Sequence, residues 1–522
     1  MTTTQHQYVH QQTTPRTQVI DIGDGLVMRW STRADGKNIG RLLGEAFRFI
    51  PMRPSYEDYE IPPPNRYAAE VGPRLVSGQS AVMSEYDYAV VDNTHAKEGE
   101  NPIVACVCLQ KMPGYYGKVK LQYGKPEVVG THPAFRNRGL VRRLFLEMIN
   151  PATDARGDLI QVFPGIDYFY RQFQYECAIT NEPTLTMKDL DKNLPKLAEG
   201  ESEPIQLREI DLEKDLPYLL KMSTPEKAHR NKSDLGNVYD EDYWRFTVGT
   251  VYQPGAHLMH DFLRISRILV DPRDQTDVGV VVIMNSPTPT LNLFSIDETR
   301  IHYRNILDSV LRQLVYDIGP KIDAAEYARE PDQPEEQRKR EDPRWKAVRF
   351  CFDEDHPISQ LVQQKATRSP RGYKFYTRIT SYPAFLKAVA PELEDRLARS
   401  ALAGISTTLR INWYRRLPGM TSSGLEMVIE NGKIISTGDW VLQSPEDWQP
   451  IAAERKAKGL KPQPELRAHF APMTFTRILT GDTSLEDQME HFPETWAESD
   501  EAKMLVNILF PRSRHHFDTF FW

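Results

Sequence analysis

Short apolar runs with strand spacing alternate with amphipathic segments along the first third of the chain. The Pro113-Gly114 pair between two of these runs predicts a turn. The predicted strands are Leu26 to Trp30, the hairpin of Tyr86 to Asp92 with Ile103 to Gln110, Val119 to Tyr123, Val128 to Val129 and Leu159 to Phe163. The predicted helices are Lys37 to Phe49 before the hairpin, Leu140 to Ile149 before the last strand, and a short one at Tyr168 to Phe173 after it. The first unit is therefore predicted to be an α+β domain.

The helix that begins at Leu140 has the sharpest pattern in the chain. Apolar side chains recur at helical spacing on one face, and charged side chains occupy the other. The apolar face consists of Leu140, Val141, Leu144, Phe145, Met148 and Ile149, and the charged face of Arg142, Arg143 and Glu147. One face of this helix is therefore predicted to pack on the sheet.

A second unit begins after the polar segment Asp189 to Pro204 and repeats the layout of the first. Its predicted elements are Ile205 to Ile210, Leu212 to Met222, Phe262 to Leu269, Val278 to Met284, Leu291 to Ile296 and Tyr303 to Tyr316. No glycine turn with basic residues lies between Ile296 and Tyr303. We interpret this unit as a degenerate copy of the first, with an unrelated α+β domain as the alternative.

A third unit opens near Tyr376. It is predicted to contain helices and a meander of strands, in which Asn431-Gly432 forms a two-residue hairpin turn. These elements are Tyr382 to Val389, Leu393 to Leu402, Thr407 to Trp413, Leu425 to Glu430, Lys433 to Thr437, Phe475 to Gly481 and Glu501 to Phe510. We expect His515-His516 to lie in a polar surface turn.

The predicted organisation has four parts and three insertions. The parts are a disordered tail at 1–22, a first domain at 23–195, a second at 196–375 and a third at 376–522, and the insertions lie near 51–70, 330–344 and 444–463.

Composition narrows the class of protein. The 522 residues carry a formal charge of −7, and 26% of them are charged, which argues against a general nucleic-acid binder. No apolar run has the length of a secretory signal or a membrane span, so we expect a cytoplasmic protein.

Four scattered cysteines exclude a disulfide framework. Cys106 and Cys108 alternate within one apolar run and should be buried on one sheet face, so no metal is expected.

The turn before the Leu140 helix carries the clearest chemistry. A strand that feeds a glycine-containing turn and a helix N-terminus directs unpaired backbone N–H groups to one point, which suits a pyrophosphate. Arg136 and Arg138 beside Gly139 add charge-assisted contacts. On these residues alone, an ordinary strand-to-helix connection with surface arginines is an equal alternative.

The residues Arg136-Asn-Arg-Gly139-Leu-Val141, preceded by Thr131-His-Pro133, resemble the acetyl-CoA loop of the Gcn5-related N-acetyltransferase superfamily. That loop usually reads Gln/Arg-x-x-Gly-x-Gly/Ala, and Val141 departs from it. The resemblance implies an acetyl-CoA site formed by Val129, Gly130, Thr131, Arg136, Asn137, Arg138, Gly139, Leu140 and Val141.

The segment Tyr170-Arg-Gln-Phe-Gln-Tyr175 and the three-part layout resemble the Eis (enhanced intracellular survival) family, which has Tyr-Gly-Arg-Phe-Gly-Tyr here. The resemblance implies two tandem acetyltransferase-like domains, the second without cofactor, and a third domain similar to sterol carrier protein 2. It also implies a homo-oligomer such as a hexamer. Tyr170 would be the general acid, and the terminal carboxylate of Trp522, which ends an aromatic run, the general base. Tyr168 and Tyr175 are interpreted as packing residues.

These observations predict an N-acetyltransferase that moves an acetyl group from acetyl-CoA directly to a primary amine. The acceptor would be a polyamine-like or aminoglycoside-like cation, or a lysine. The rival from another class is a non-catalytic protein that binds an apolar ligand in its sterol-carrier-like domain.

Overall fold

The computed structural model describes most of the chain, in separate stretches. These are residues 16–48, 63–65, 68–69, 72–73, 76, 82–166, 168–181, 183–224, 227, 233–250, 264–284, 288–322, 344–372, 374–414, 422–441, 453, 457 and 465–517. The predicted insertions lie almost wholly outside these stretches, as do the last five residues, including Trp522. None of the described helices is long and apolar enough to cross a lipid bilayer.

The first unit contains seven strands and two long helices among its described elements. They are β1 (Val19–Gly23), β2 (Leu26–Trp30), α1 (Gly36–Ala46), β3 (Tyr88–Asn93), β4 (Ile103–Tyr116), β5 (Val119–Thr131), α2 (Leu140–Arg143, a π-helical turn Leu144–Ile149, then Asn150–Arg156), β6 (Ile160–Phe163) and β7 (Glu176–Thr180). The first and last strands were not predicted, the two strands predicted at Val119 to Tyr123 and Val128 to Val129 are one, and the remaining elements follow the predicted order. The predicted disordered tail is wrong in its last residues. Val19–Gly23 is ordered because it pairs antiparallel with β2 across a turn whose Asp24 and Gly25 both have positive φ.

The second unit has the predicted order, with four strands that the periodicity did not predict. Its elements are β8 (Leu185–Met187), α3 (Leu190–Asn193), β9 (Gln206–Arg208), α4 (Leu212–Met222), β10 (Ser233–Asn237), α5 (Glu241–Thr250), β11 (Arg264–Asp271), β12 (Thr276–Met284), β13 (Thr290–Ile296), α6 (Tyr303–Gln313, then a π-helical turn Leu314–Ile318), β14 (Val348–Phe350), α7 (Pro357–Val362) and β15 (Ala366–Arg368). Its sheet has the order β15-β8-β14-β13-β12-β11-β9.

The third unit is a sheet with the order β19-β18-β17-β20-β21, packed by helices. Asn431 and Gly432 have φ of 49° and 76°, so the predicted hairpin turn is confirmed. The elements are β16 (Lys374–Ile379), α8 (Tyr382–Ala398), β17 (Thr407–Trp413), β18 (Gly424–Glu430), β19 (Lys433–Trp440), β20 (Glu465–Phe470), α9 (Pro472–Leu479), α10 (Leu485–His491), β21 (Trp496–Ala497), α11 (Asp500–Leu509) and β22 (Arg514–His516).

Sheet membership cuts across the predicted domain boundaries. β16 lies between β6 and β7 in the first sheet, and β10 pairs with both β4 and β22. β8, which precedes residue 196, belongs to the second sheet. The predicted surface turn at His515-His516 is wrong: both residues are buried in β22, where the His515 Nε2 lies 2.8 Å from the Thr480 carbonyl oxygen.

The first sheet is covered by helices on both faces. The predicted apolar face of α2 is confirmed, because Leu140, Leu144, Phe145, Met148 and Ile149 are buried in one cluster on that face. Cys106 and Cys108 belong to the cluster on the other face, beside α1. Their predicted burial on one face is therefore confirmed.

The predicted turn at Pro113-Gly114 is wrong. β4 runs through both residues to Tyr116, and the turn lies at Gly117, which has a φ of 52°. A Cβ on Gly114 would lie 2.4 Å from the Tyr123 ring and 2.8 Å from the Gly236 carbonyl oxygen. Gly114 is therefore required by the close approach of β10 and not by a bend.

We expect Gly114→Ala to destabilise the protein by about 1–3 kcal/mol, because its methyl group forces β10 or Tyr123 to move. The measurement is the thermal unfolding midpoint by calorimetry. Gly438→Ala in β19 is the matched control, since a Cβ there meets nothing within 4 Å. An equal effect of the two substitutions would contradict this account of Gly114.

Candidate active site

β5 and β6 stop pairing part-way along the first sheet, and we call the region beyond this point the cleft. These parallel strands pair only at Tyr123 with Ile160 and at Gly124 with Gln161. β5 continues to Thr131, and its other edge stays paired with β4 along that length. Among the described residues, no strand pairs with this edge of β5 beyond Gly124.

A β-bulge lies on β5 at the mouth of this cleft. Cys108 pairs with Glu127 and Cys106 with Gly130, so Val128 and Val129 together oppose a single residue of β4. Val128 has a φ of 52°, and its side chain is buried. The bulge changes the direction of β5 at the predicted cofactor-binding residues Val129, Gly130 and Thr131.

The predicted phosphate turn leads directly into α2. Asn137 and Gly139 have φ of 64° and 72°, and Gly139 is the residue that precedes the first helical residue, Leu140. Among the described residues, no side chain caps this helix end. The N–H groups of its first turn, at Leu140, Val141 and Arg142, are therefore left for a ligand.

The turn is open and basic. Residues 136 to 139 are exposed, and a Cβ on Gly139 would meet nothing within 4 Å. The Arg138 guanidinium lies 4.8 Å from the centre of the Phe135 ring, and neither Arg136 nor Arg138 forms an ion pair with a described carboxylate. Both charges therefore remain available to an anion. The residues present fit a nucleotide pyrophosphate.

Val141, the departure from the family pattern, leaves the turn open. Its side chain packs against the apolar cluster beneath α2 and is half-buried. The extra bulk is directed to the core, so it does not fill the space in front of the helix end.

Tyr170 lies within a short 3-10 helix, Phe169–Phe173, that follows β6. Its ring is buried edge-on to Phe163, at 4.7 Å between centroids, and against Phe145 at 5.5 Å. Burial, followed by the negative charge of Glu127, raises the pKa of the Tyr170 phenol well above its usual value. The phenol is therefore protonated at neutral pH.

Gly165 is a site residue that the sequence reasoning missed. A Cβ at this position would lie 2.5 Å from the Tyr170 ring and 3.0 Å from that of Tyr376. The Pro164-Gly165 pair directly after the β6 pattern was the available signal.

Of the two positions near Tyr170 where the family has glycine, Arg171 and Gln174, only Gln174 has a positive φ. Gln174, where the family has glycine, takes a φ of 72°, so the left-handed turn is kept without glycine. Tyr175 packs as predicted, with its hydroxyl 2.9 Å from the Asn150 Oδ1. The same prediction is wrong for Tyr168, which is 79% exposed because its φ of 66° turns it away from the core.

The end of the described chain lies against the foot of the cleft. Phe517 stacks on Tyr123 at 5.8 Å between ring centroids, and it lies tilted against Phe375 at 5.4 Å. Asn181 clamps its backbone: the Asn181 amide donates to the Phe517 carbonyl oxygen at 2.5 Å and its Oδ1 accepts from the Phe517 N–H at 2.9 Å. Trp522, the predicted base, lies outside the described residues, five positions further on.

The second unit differs from the first at the corresponding turn. Its connection from β13 to α6 has no glycine, and the Asp297 carboxylate accepts a hydrogen bond from the Thr299 N–H at 3.1 Å. Within the part of the chain that the structure describes, three or more His, Cys, Asp and Glu side chains do not cluster as metal ligands.

The sequence matches no protein-family model and no curated protein. The fold, in contrast, is similar over nearly its whole length to solved structures of GCN5-related N-acetyltransferases. They include the enzyme from Anabaena variabilis (TM-score 0.56, 12% identity, 94% of this chain and 98% of that chain), one from Kribbella flavida (0.56, 13%, 95% and 98%) and Eis1 from Mycobacterium abscessus (0.52, 12%, 95% and 99%).

The chain therefore has the fold of these acetyltransferases, and the predicted α+β class and resemblance are confirmed at the level of fold. The likeness of the third unit to sterol carrier protein 2 stays a prediction.

Proposed function

We propose that this protein is an N-acyltransferase that transfers an acetyl group from acetyl-CoA directly to a primary amine. One observation carries the proposal: the unpaired edge of β5 ends beside an uncapped helix terminus with two available arginines. The fold of known acetyltransferases supports the same conclusion.

The chain's own groups suit the parts of such a donor. The first-turn N–H groups of α2, with Arg136 and Arg138, would bind the pyrophosphate. The free backbone of β5 around Val129 and Thr131 would hydrogen-bond the pantetheine arm and the thioester oxygen. Acetyl-CoA supplies an activated thioester.

Tyr170 is the proposed general acid. The phenol carries its proton at neutral pH, as a general acid must. Its raised pKa works against release of that proton, so transfer would follow the build-up of negative charge on the leaving sulfur. The aromatic rings around it fix the ring and exclude water, which favours proton transfer to the leaving sulfur over exchange with solvent.

The terminal carboxylate of Trp522 is the proposed general base. Five residues beyond Phe517 span at most about 17 Å. Along β5, the rise from Tyr123 to the bulge at Val128 is also about 17 Å. Because Phe517 stacks on Tyr123, the chain end has the reach to meet the mouth of the cleft.

The acceptor is proposed to be a small polyamine-like or aminoglycoside-like amine, or a lysine side chain, which binds together with acetyl-CoA. A homo-oligomeric assembly in the cytoplasm belongs to the same proposal and rests on the family resemblance.

Isothermal calorimetry with acetyl-CoA tests the donor site. We expect the wild-type chain to bind, and Arg136→Ala/Arg138→Ala to bind about 10- to 100-fold more weakly, because charge-assisted contacts to the pyrophosphate are lost. Arg371→Ala/Arg399→Ala, which removes two other surface arginines, should leave the Kd unchanged. Failure of the wild-type chain to bind acetyl-CoA would refute the proposed function.

Tyr170→Phe should lower kcat by about 100-fold or more, since general acid catalysis is worth that much. The Kd for acetyl-CoA should stay unchanged, because the ring and its packing remain. Free thiol release with an amine panel measures the turnover, and Tyr168→Phe at the exposed neighbouring position is the control. Unaltered turnover would remove Tyr170 as the acid.

One alanine added after Trp522 should abolish most of the amine-dependent turnover while acetyl-CoA binding persists. The extra residue moves the carboxylate by about 3.3–3.6 Å, beyond hydrogen-bond reach of its former partner. Trp522→Phe, which keeps an aromatic ring and the original chain end, is the control. Full activity of the extended chain would refute the terminal carboxylate as the base, but it would leave the proposed acyltransferase activity standing.

A further inference from the structure

We propose that Glu127 is a positioning residue whose side chain holds the β-bulge at Val128 open and thereby shapes the donor edge of β5. The inference rests on the proposed function, since it concerns the same cleft. In this proposal the Glu127 carboxylate maintains the geometry of the bulge.

The backbone at Val128 needs an external restraint. Among the described residues with positive φ, the non-glycine ones are Asp24, Val128, Asn137, Tyr168, Gln174, Asp189, Gln275 and Asn431, of which only Val128 is β-branched. A β-branched side chain disfavours this conformation strongly, so it persists only where its surroundings enforce it.

Side chains replace the strand ladder at this residue. The Val128 N–H donates to the Glu127 Oε2 at 3.3 Å, and the Cys106 Sγ lies 3.7 Å from the Val128 carbonyl oxygen. Burial raises the pKa of the Cys106 thiol to about 12, so the thiol keeps its proton and can donate it to that carbonyl. Both backbone groups of the strained residue are therefore satisfied by side chains.

Glu127 is itself held in place. Its Oε1 lies 3.2 Å from the Lys125 Nζ, and both side chains are almost fully buried on the sheet. A buried ion pair of this kind adds little net stability compared with packed apolar residues. We therefore assign the ion pair a geometric role: Lys125 fixes the Glu127 carboxylate beside the Val128 N–H.

The position of the bulge connects this restraint to the cleft. Val129 follows directly and lies on the stretch of β5 that β6 no longer covers. The same carboxylate acts on the buried Tyr170 phenol, whose pKa its charge helps to raise. If the bulge relaxes into regular strand, the edge offered to the donor shifts in register.

The test first removes the Glu127 carboxylate and then removes the steric strain at Val128. Lys125→Met/Glu127→Met deletes the ion pair without leaving a buried charge. We expect about tenfold weaker acetyl-CoA binding by calorimetry, the loss of about one hydrogen bond to a charged group. Amide hydrogen exchange of residues 124–131 should become faster.

Adding Val128→Gly to this variant should restore binding and slow exchange, because glycine takes positive φ without steric cost. Glu127→Gln is the conservative variant. It keeps an oxygen acceptor for the Val128 N–H and should bind acetyl-CoA close to the wild-type value, even if the double variant does not fold. Glu203→Gln, at the Arg312 ion pair of the second unit, is the matched control and should have no effect.

Wild-type affinity in the double variant would overturn the proposal, as would a loss that Val128→Gly fails to rescue or a loss in Glu127→Gln equal to that in the double variant. A wild-type chain that does not bind acetyl-CoA would instead refute the proposed function.

Discussion

The unequal pairing of β5 is the constraint on which the rest of the structure depends. One edge is bonded to β4 along its length, and the other is bonded to β6 at only two residue pairs. A strand with one secured edge can carry a bulge and an unpaired edge without leaving the sheet. The cleft, the bulge and the start of α2 all lie beyond the point where β6 departs, so a single loss of pairing organises the site.

The chemistry of the site is distributed between the two faces of this sheet. Tyr170 lies in the aromatic cluster on the α2 face, and the chain end at Phe517 lies in the cluster on the α1 face. The residues after Phe517 therefore continue from the face of the sheet opposite to Tyr170.

Elements with a complete local signal were predicted from the sequence. α4 and β17 have the predicted limits, because α4 carries its own amphipathic period and β17 its own alternating pattern. The phosphate turn was found because glycine, basic residues and a strong helix are adjacent in the chain.

Features that depend on distant partners were not found. β10 and β22 are short and partly polar, and they are strands only because each pairs with the other and β10 with β4. The burial of His515 follows from the same pairing. The roles of Gly114 and Gly165 are set by the Tyr123 and Tyr170 rings, and the positive φ of Val128 by its neighbours in space. The Pro164-Gly165 pair indicates a turn, but the local sequence does not encode the contacts that these residues make.

The position of β16 between β6 and β7 has a consequence for folding during translation. β16 pairs with Phe163 on one side and Thr180 on the other, yet it is translated about 200 residues after β7, some 10–40 s later at typical elongation rates. Until then two strand edges stay uncovered, and such edges invite pairing with other chains. The nascent first unit therefore exposes two strand edges during that interval, and its sheet is completed only late in synthesis.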